Sequence, residues 1–249
     1  MKKKSLGQNF LINTTIIQKL VDSLDIKDED YLVEIGGGAG AVTKELLMHN
    51  NKFKQLDVIE IDREYSKELT KISSKVENCR IICDDFLITN YPPVEYKVIG
   101  AIPYYISSPI IHKILESKLR PSKVILCVQK EFGEKMIQNA PKASYWSHIT
   151  IGYKTSKIMD IKAENFDPAP EVDSMAVVME LDEKTNLDLI NIGFFRWSKF
   201  LHHVYRNPRK MLNKVFEKNF LIDAGISSSL RPQNLTTENV LGLYQVLNS

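Results

Sequence analysis

YLVEI, residues Tyr31 to Ile35, runs directly into GGGAG, Gly36 to Gly40. A short apolar run of this kind reads as a buried strand, and the helical pattern from Val42 to Met48 follows at once. Strand, glycine turn and helix in that order form the geometry that receives the polar or anionic part of a nucleotide. The glycines let the backbone turn tightly and approach the ligand, which meets free N–H groups at the helix start. By itself GGGAG is also compatible with a plain turn. It does not match G-x-x-x-x-G-K-[ST], which disfavours phosphoryl transfer.

Working outward, Ile16, Ile17, Leu20, Val21 and Leu24 share one helical face upstream of this strand. Downstream come the strand patterns LDVIEI (Leu56 to Ile61), RIIC (Arg80 to Cys83), YKVIGAI (Tyr96 to Ile102) and KVILCV (Lys123 to Val128). Segments of helix length separate them. The alternation predicts an α/β fold: a doubly wound, mostly parallel, Rossmann-like sheet. After Phe132 the rhythm changes. His148 to Ile161 and Ser174 to Leu181 read as strands, joined by the turn-rich FDPAPEVD (Phe166 to Asp173). DEKTN, Asp182 to Asn186, marks a boundary between a large domain, 1–182, and a small helical domain, 183–249, broken only at Gly225 to Thr236.

Composition sets the class. With 249 residues, 43% hydrophobic and 26% charged, the chain is too apolar for a disordered protein, and 11 Gly and 10 Pro are too few for low complexity. No run approaches the length of a membrane span, and the start lacks the apolar stretch of a signal peptide. The expectation is a cytoplasmic protein, or one in an organelle. Cys79, Cys83 and Cys127 lack ligand spacing and are expected to be reduced, mostly packed thiols, with no metal. The net charge of +2 does not announce a nucleic-acid partner. Its distribution says more: Leu189 to Phe216 holds no acid but contains Arg196, Lys199, Arg206, Arg209, Lys210 and Lys214. Either an anionic partner or a solvated helix face accounts for it.

Two acids sharpen the cofactor. Glu60 ends the strand after the glycines, where a carboxylate accepts both ribose hydroxyls, and Asp85 ends the next, within reach of an adenine amine. Phe86 beside it either stacks on that adenine or simply packs. Two acids at consecutive strand ends disfavour an anionic cofactor such as NADP. They suit one with ribose hydroxyls and a sulfonium: S-adenosylmethionine.

LGQNFL (Leu6 to Leu11), VEIGGGAGAVT, VIEIDR, Asp84 to Phe86, GAIPYYISSPII (Gly100 to Ile111), QKEFGEKM (Gln129 to Met136), FDPAPEVDS and RPQNLT (Arg231 to Thr236) occur in this order over almost the whole chain. Together they resemble the small-subunit rRNA dimethyladenosine transferases, the KsgA family. The resemblance implies that Asn9, Leu11, Gly36, Gly38, Glu60, Asp85, Phe86 and Ala101 surround S-adenosylmethionine. It also implies that two adjacent adenines of 16S-type rRNA are dimethylated. An adenine amine is a poor nucleophile because its lone pair is delocalised into the ring. Acceptors on its two N–H bonds draw it toward a tetrahedral shape, which is positioning plus electrostatics. The family supplies an Asn side-chain carbonyl and a backbone carbonyl from Asn-Leu/Ile-Pro-Tyr, whose Tyr stacks on the extruded base.

Here that loop is Ala101-Ile102-Pro103-Tyr104, with Ala in place of the Asn, and Tyr105 stands where a second Asn is usual. Gly37, where the family usually has Pro, is expected only to loosen the turn. Ala101 leaves three readings open: an engineered low-activity variant, a natural slow enzyme, or a family member that binds rRNA without chemistry and serves ribosome assembly. The related large-subunit (Erm) methyltransferases are another alternative, which the carboxy-terminal element and PAPEVDS disfavour. Arg206, Arg209, Lys210 and Lys214 match a basic family segment and are expected to meet phosphates of small-subunit rRNA, with Lys2, Lys3 and Lys4 adding to them. The expected partner is the small ribosomal subunit, bound by a monomer.

Overall fold

The computed structural model describes residues 9–90, 92–138 and 140–248, so Lys2, Lys3 and Lys4 lie outside the described residues. The chain enters through β1 (Phe10–Leu11) and α1 (Thr14–Ser23). Asn13 caps α1, its Oδ1 accepting from Ile16 N at 3.2 Å. Its Nδ2 donates to Asn165 Oδ1 at 2.8 Å, so the same residue ties the entering segment to a later turn. β2 (Asp30–Ile35), α2 (Ala41–Leu47), β3 (Phe53–Ile59), α3 (Arg63–Ser73), β4 (Cys79–Ile82), β5 (Lys97–Ala101), α4 (Ser107–Glu116) and β6 (Lys123–Gln129) follow in strict alternation, save the loop between β4 and β5. The order then changes to α5 (Lys130–Met136), α6 (Tyr145–Ile149), β7 (Tyr153–Ile161), β8 (Phe166–Asp167) and β9 (Ser174–Leu181).

The main sheet has seven strands in the order β4-β3-β2-β5-β6-β9-β7. The pairs from β4 through β6 are parallel, and β9 runs antiparallel to β6. The chain moves outward from β2 to β4 and then returns to lay β5 on the other side of β2. The carboxyl ends of β2 and β5 are therefore the topological switch point, where open α/β sheets bind ligands. Leu32, Leu56, Val58, Ile99 and Ile125 bury their side chains from these strands against Leu20 and Leu24 of the α1 region, Leu46 and Leu69. Burial on both faces explains why these strands read as continuous apolar runs. A second, two-stranded sheet pairs Phe10 with Asp167 and Leu11 with Phe166.

The chain divides into two compact units. One comprises the described residues up to Gly133 with Lys157–Leu181, the other Glu134–Ser156 with the chain from Asp182. The chain crosses between the units at 133/134, 156/157 and 181/182, the last one residue before the expected boundary at 182/183. The segment 134–156 joins the second unit because buried polar bonds hold it there. Trp197 Nε1 donates to the His148 carbonyl at 2.9 Å. The Tyr145 and Ser198 hydroxyls lie 2.9 Å apart, and His148 Nδ1 is 2.6 Å from the Tyr205 hydroxyl. His148 and Ile149, expected in a strand, are helical. Ser144 starts α6 with a capping box, its Oγ accepting from Ser147 N at 3.2 Å while Ser147 Oγ accepts from Ser144 N at 2.9 Å. That cap overrides the β-branched run after it.

The second unit continues with α7 (Glu183–Ile192), α8 (Phe194–Tyr205), α9 (Lys218–Asp223) and α10 (Thr237–Asn248). The helical expectation needs one correction. α8 ends with Arg206 as its C-cap, and Arg209 and Lys210 lie in the turn beyond, with Lys214 in a 3-10 turn over Leu212–Lys214. Asn207-Pro208 stops the helix, because Pro lacks a donor and pushes the residue before it out of the helical region.

Candidate functional site

An open cleft lies at the switch point, wholly within the first unit, with Gly36, Gly38, Glu60, Asp85, Phe86, Ala101, Ile102 and Pro103 in its wall. Asn9 and Phe10 reach it through the β1–β8 pairing. Most of the residues expected around a nucleoside thus meet in one place. Leu11 does not: its side chain is buried in the hydrophobic core, because alternation along β1 sends neighbours to opposite faces.

The glycine turn is shaped by two constraints. Gly38 adopts φ +50°, and a Cβ there would sit 2.7 Å from the Phe10 ring. Gly37 has ordinary φ but no room: a Cβ would stand 2.6 Å from Val58 and 2.8 Å from Leu69. The expectation that Gly37 only loosens the turn is therefore corrected. It lets the turn press onto β3 and α3.

Glu60 organises this turn. It is 5% exposed, and its two carboxylate oxygens accept from Gly38 N and Asp62 N, both at 2.8 Å. Burial raises its pKa, and the two backbone N–H groups pull the other way. Each oxygen keeps lone-pair capacity toward the cleft. Behind it Glu34, buried at the end of β2, accepts from Thr43 Oγ1 of α2 at 2.7 Å. That bond bridges the two elements flanking the glycines.

The opposite wall comes from the loop after β4. Asp85 Oδ1 accepts from Leu87 N at 2.9 Å, fixing a tight turn. Phe86 is buried beneath Lys113 of α4, whose Nζ stands 5.1 Å from the ring centroid. Lys113 also donates to the Phe86 and Thr89 carbonyls. Burial lowers its pKa, while Asp85 and Asp84 oppose that shift. The sequence reading missed Lys113, whose only signal was being the one Lys or Arg in the helix SSPIIHKILE.

The loop from Ala101 to Tyr105 closes the cleft. Ala101 is the last residue of β5, in register with Cys127 of β6, and Ile102 is buried. Pro103 starts the 3-10 turn Tyr104–Ile106. Tyr105, 63% exposed, lines the main cleft, whereas Tyr104 does not. Tyr104 lines a small crevice of about 10 Å³ with Asn9, Ala101, Cys127 and Phe166, room for about one water, and its hydroxyl is 2.6 Å from Ser174 Oγ. Half-burial raises the Tyr104 pKa. Asn9 and Ala101 belong to both cavities, so the small pocket and the cleft share a wall. Phe166 is a site residue that sequence reasoning missed. Of the three cysteines, Cys127 is buried, Cys79 half-buried and Cys83 exposed, so the last departs from the expected packing.

In the second unit Arg206, Arg209, Lys210 and Lys214 are all exposed, and no carboxylate pairs with any of them among the described residues. No group of three His, Cys, Asp or Glu among the described residues could hold a metal ion, and no helix there is long and apolar enough to cross a membrane.

Comparisons with known proteins agree with this geometry. The family model for ribosomal RNA adenine dimethylase matches residues 1–248. Ribosomal RNA small subunit methyltransferase A of Sulfurihydrogenibium sp. (strain YO3AOP1) is 33% identical over 259 aligned positions, covering 99% of this chain and 96% of that protein. Two solved structures share the fold. A dimethyladenosine transferase from Plasmodium falciparum superposes with TM-score 0.81 at 24% identity, covering 96% of this chain and 97% of that one. The 23S rRNA methyltransferase ErmE does so with TM-score 0.79 at 22% identity, covering 97% and 100%. A doubly wound, mostly parallel sheet with this glycine turn, matched over 248 residues, places the chain in the ribosomal RNA adenine dimethylase family, a family of enzymes.

Proposed function

We propose that this chain dimethylates adjacent adenines of small-subunit rRNA with S-adenosylmethionine as methyl donor. The observation that carries this reading is that the Glu60–glycine cradle and the Ala101–Tyr105 loop wall the same cleft at the switch point. The residues fit the cofactor. Gly36, at φ +73° with open space where a Cβ would stand, leaves bare backbone at the cleft, Glu60 offers acceptors suited to a ribose, and Phe86 and Ile61 give apolar walls for a purine. Gly36, Gly38, Glu60 and Asp85 would hold it, with Asn9 and Phe10 along the edge. When bound, it supplies an electrophilic methyl on a sulfonium.

The chain's own residues position the other reactant. Tyr105, exposed on the cleft wall, and half-buried Tyr104 beside it offer aromatic surface to a base taken out of its stack. The backbone carbonyls of the Ala101–Pro103 turn provide acceptors held in place by β5 and by the fixed φ of Pro103 (−58°). A weakly basic amine needs alignment more than a strong base, and this loop offers alignment. Ala101 contributes no side-chain acceptor, so the chemistry runs with one preorganised group fewer than the family motif provides. Arg206, Arg209, Lys210 and Lys214 hold the RNA by its phosphates, which position without specifying sequence. The small-subunit choice is supported by the name of the Sulfurihydrogenibium relative. Tritiated methyl transfer to unmethylated small subunits, set against large subunits, tests the reading. Label in large-subunit RNA alone, or in neither, refutes it.

Two further results are expected. Glu60→Ala removes acceptors from the ribose position and strips Gly38 N and Asp62 N of their partner. S-adenosylmethionine affinity by calorimetry then falls at least tenfold, the scale of a hydrogen bond to a charged group. Affinity within twofold of the parent would move the site elsewhere. The double variant Arg209→Ala/Lys210→Ala weakens binding to small subunits and lowers the slope of log affinity against log salt by about two, one for each phosphate no longer neutralised. An unaltered slope would leave these residues as a solvated surface.

A further inference from the structure

α8 buries Trp197, Leu201 and Val204. At 100° per residue, Phe195, Lys199, His202 and Arg206 fall on the opposite side, one below another. Phe195 is 79% exposed, the most exposed large hydrophobic side chain among the described residues. Its ring packs on no other aromatic ring among those residues. On the same helix Arg196 follows it in sequence and Lys199 lies one turn on, about 6 Å along the axis. At the far end His202 stacks on Tyr145, with ring centroids 4.5 Å apart and 29° between planes, which adds a second aromatic surface to the strip. The helix itself contains no acid.

A bare aromatic ring in water is unfavourable, and a docked protein would cover it as well as an RNA base would. The charges decide between them. Every ionisable side chain on the outward side of α8 is basic or a histidine, and the acid-free run extends through Phe216. This pattern suits a polyanion whose repeating unit carries both a phosphate and a flat ring. Base-on-aromatic stacking beside lysine and arginine is how single-stranded RNA is held. We propose that the outward side of α8 is a docking strip for an unpaired segment of the rRNA, with Phe195 as the platform for one base and Arg196 and Lys199 on the flanking phosphates. The inference rests on the rRNA reading above and deepens it by assigning an RNA-binding surface outside the cleft and outside the basic turn.

The test uses the full chain and unmethylated small subunits, with binding followed over a salt series and each variant checked for unchanged melting temperature and S-adenosylmethionine affinity. Phe195→Ala is expected to weaken binding about tenfold with the salt slope unchanged, because stacking releases no counterions. Phe195→Leu is expected to lose nearly as much, and Phe195→Trp to retain affinity and quench its added fluorescence on binding. Lys199→Ala is expected to lower the slope by about one. Full affinity in Phe195→Leu would overturn stacking and identify an apolar, protein-type surface. Parental affinity in Phe195→Ala would overturn the strip while leaving the rRNA reading intact. Failure of the parent chain to bind small subunits at all would overturn both.

Discussion

Replacing Ala101 by Asn raises the single-turnover rate of methyl transfer about a hundredfold, the amount by which one preorganised hydrogen-bonding group changes a rate. The expectation follows from how little else the loop lacks. Ala101 ends β5 in regular register with Cys127, so the backbone at this position is set by the sheet and not by the side chain. Ile102 is buried, Pro103 fixes the turn, and the Tyr104 hydroxyl is anchored on Ser174 at 2.6 Å. Ala101 is part of the wall of the open cleft, so an added amide has space on that side. Its carbonyl would accept from one amine hydrogen while a backbone carbonyl of the turn takes the other.

Binding should hardly change, because that hydrogen bond gains its strength as the amine becomes tetrahedral and positive. An interaction made mainly in the transition state alters the rate and leaves affinity alone. The measurement is tritiated methyl transfer to unmethylated small subunits, both proteins at saturating cofactor. Equal rates would show that this loop activates the amine without a side-chain acceptor at 101. A tighter-binding Asn variant with an unchanged rate would show that the group acts in the ground state.

The fold was legible because its deciding signals are local. A strand buried on both faces must be mostly apolar, and YLVEI and LDVIEI on either side of the glycine turn are, apart from Glu34, Asp57 and Glu60. Glu60 and Asp85 could be placed for the same reason, since strand ends in a doubly wound sheet converge. What escaped depends on distant residues. Leu11 sits beside Asn9 and Phe10 in sequence, but its pairing with Phe166 turns its side chain into the core. Phe166 and Tyr104 share a pocket only because β8 folds back onto β1 and Ser174 fixes the hydroxyl. The segment 134–156 reads as an extension of the first unit until Trp197 and Tyr205 bind His148. The tight packing of Gly37 requires knowing that Val58 and Leu69 lie beneath it.

The two units should respond to pH in opposite directions. In the first, burial holds the Glu34 carboxyl at about 7 against an ordinary 4.5, with the Glu60 charge adding to the shift and the Thr43 hydroxyl opposing it. A group whose folded pKa is raised gives its stability in full below pH 4.5 and loses it as pH climbs to 7. That loss is about 3 kcal/mol for this shift. Glu60, also raised by burial, acts in the same sense. In the second unit, burial lowers His148 to about 4 from 6.5. Its neutral form is the one packed there, so stability is complete above pH 6.5 and falls as the pH drops toward 4, again by about 3 kcal/mol. Amide exchange, corrected for intrinsic rates, reads the two separately. From pH 5 to 7, protection of Leu32 and Val33 in β2 should fall while that of Leu201 and Val204 in α8 rises. Glu34→Gln keeps an acceptor for Thr43 and removes the charge, so it should flatten most of the first trend and leave the second. His148→Gln should do the reverse. A β2 trend as steep in Glu34→Gln as in the parent would assign the proton uptake to another group and leave the Glu34–Thr43 bond a neutral brace at all pH values tested.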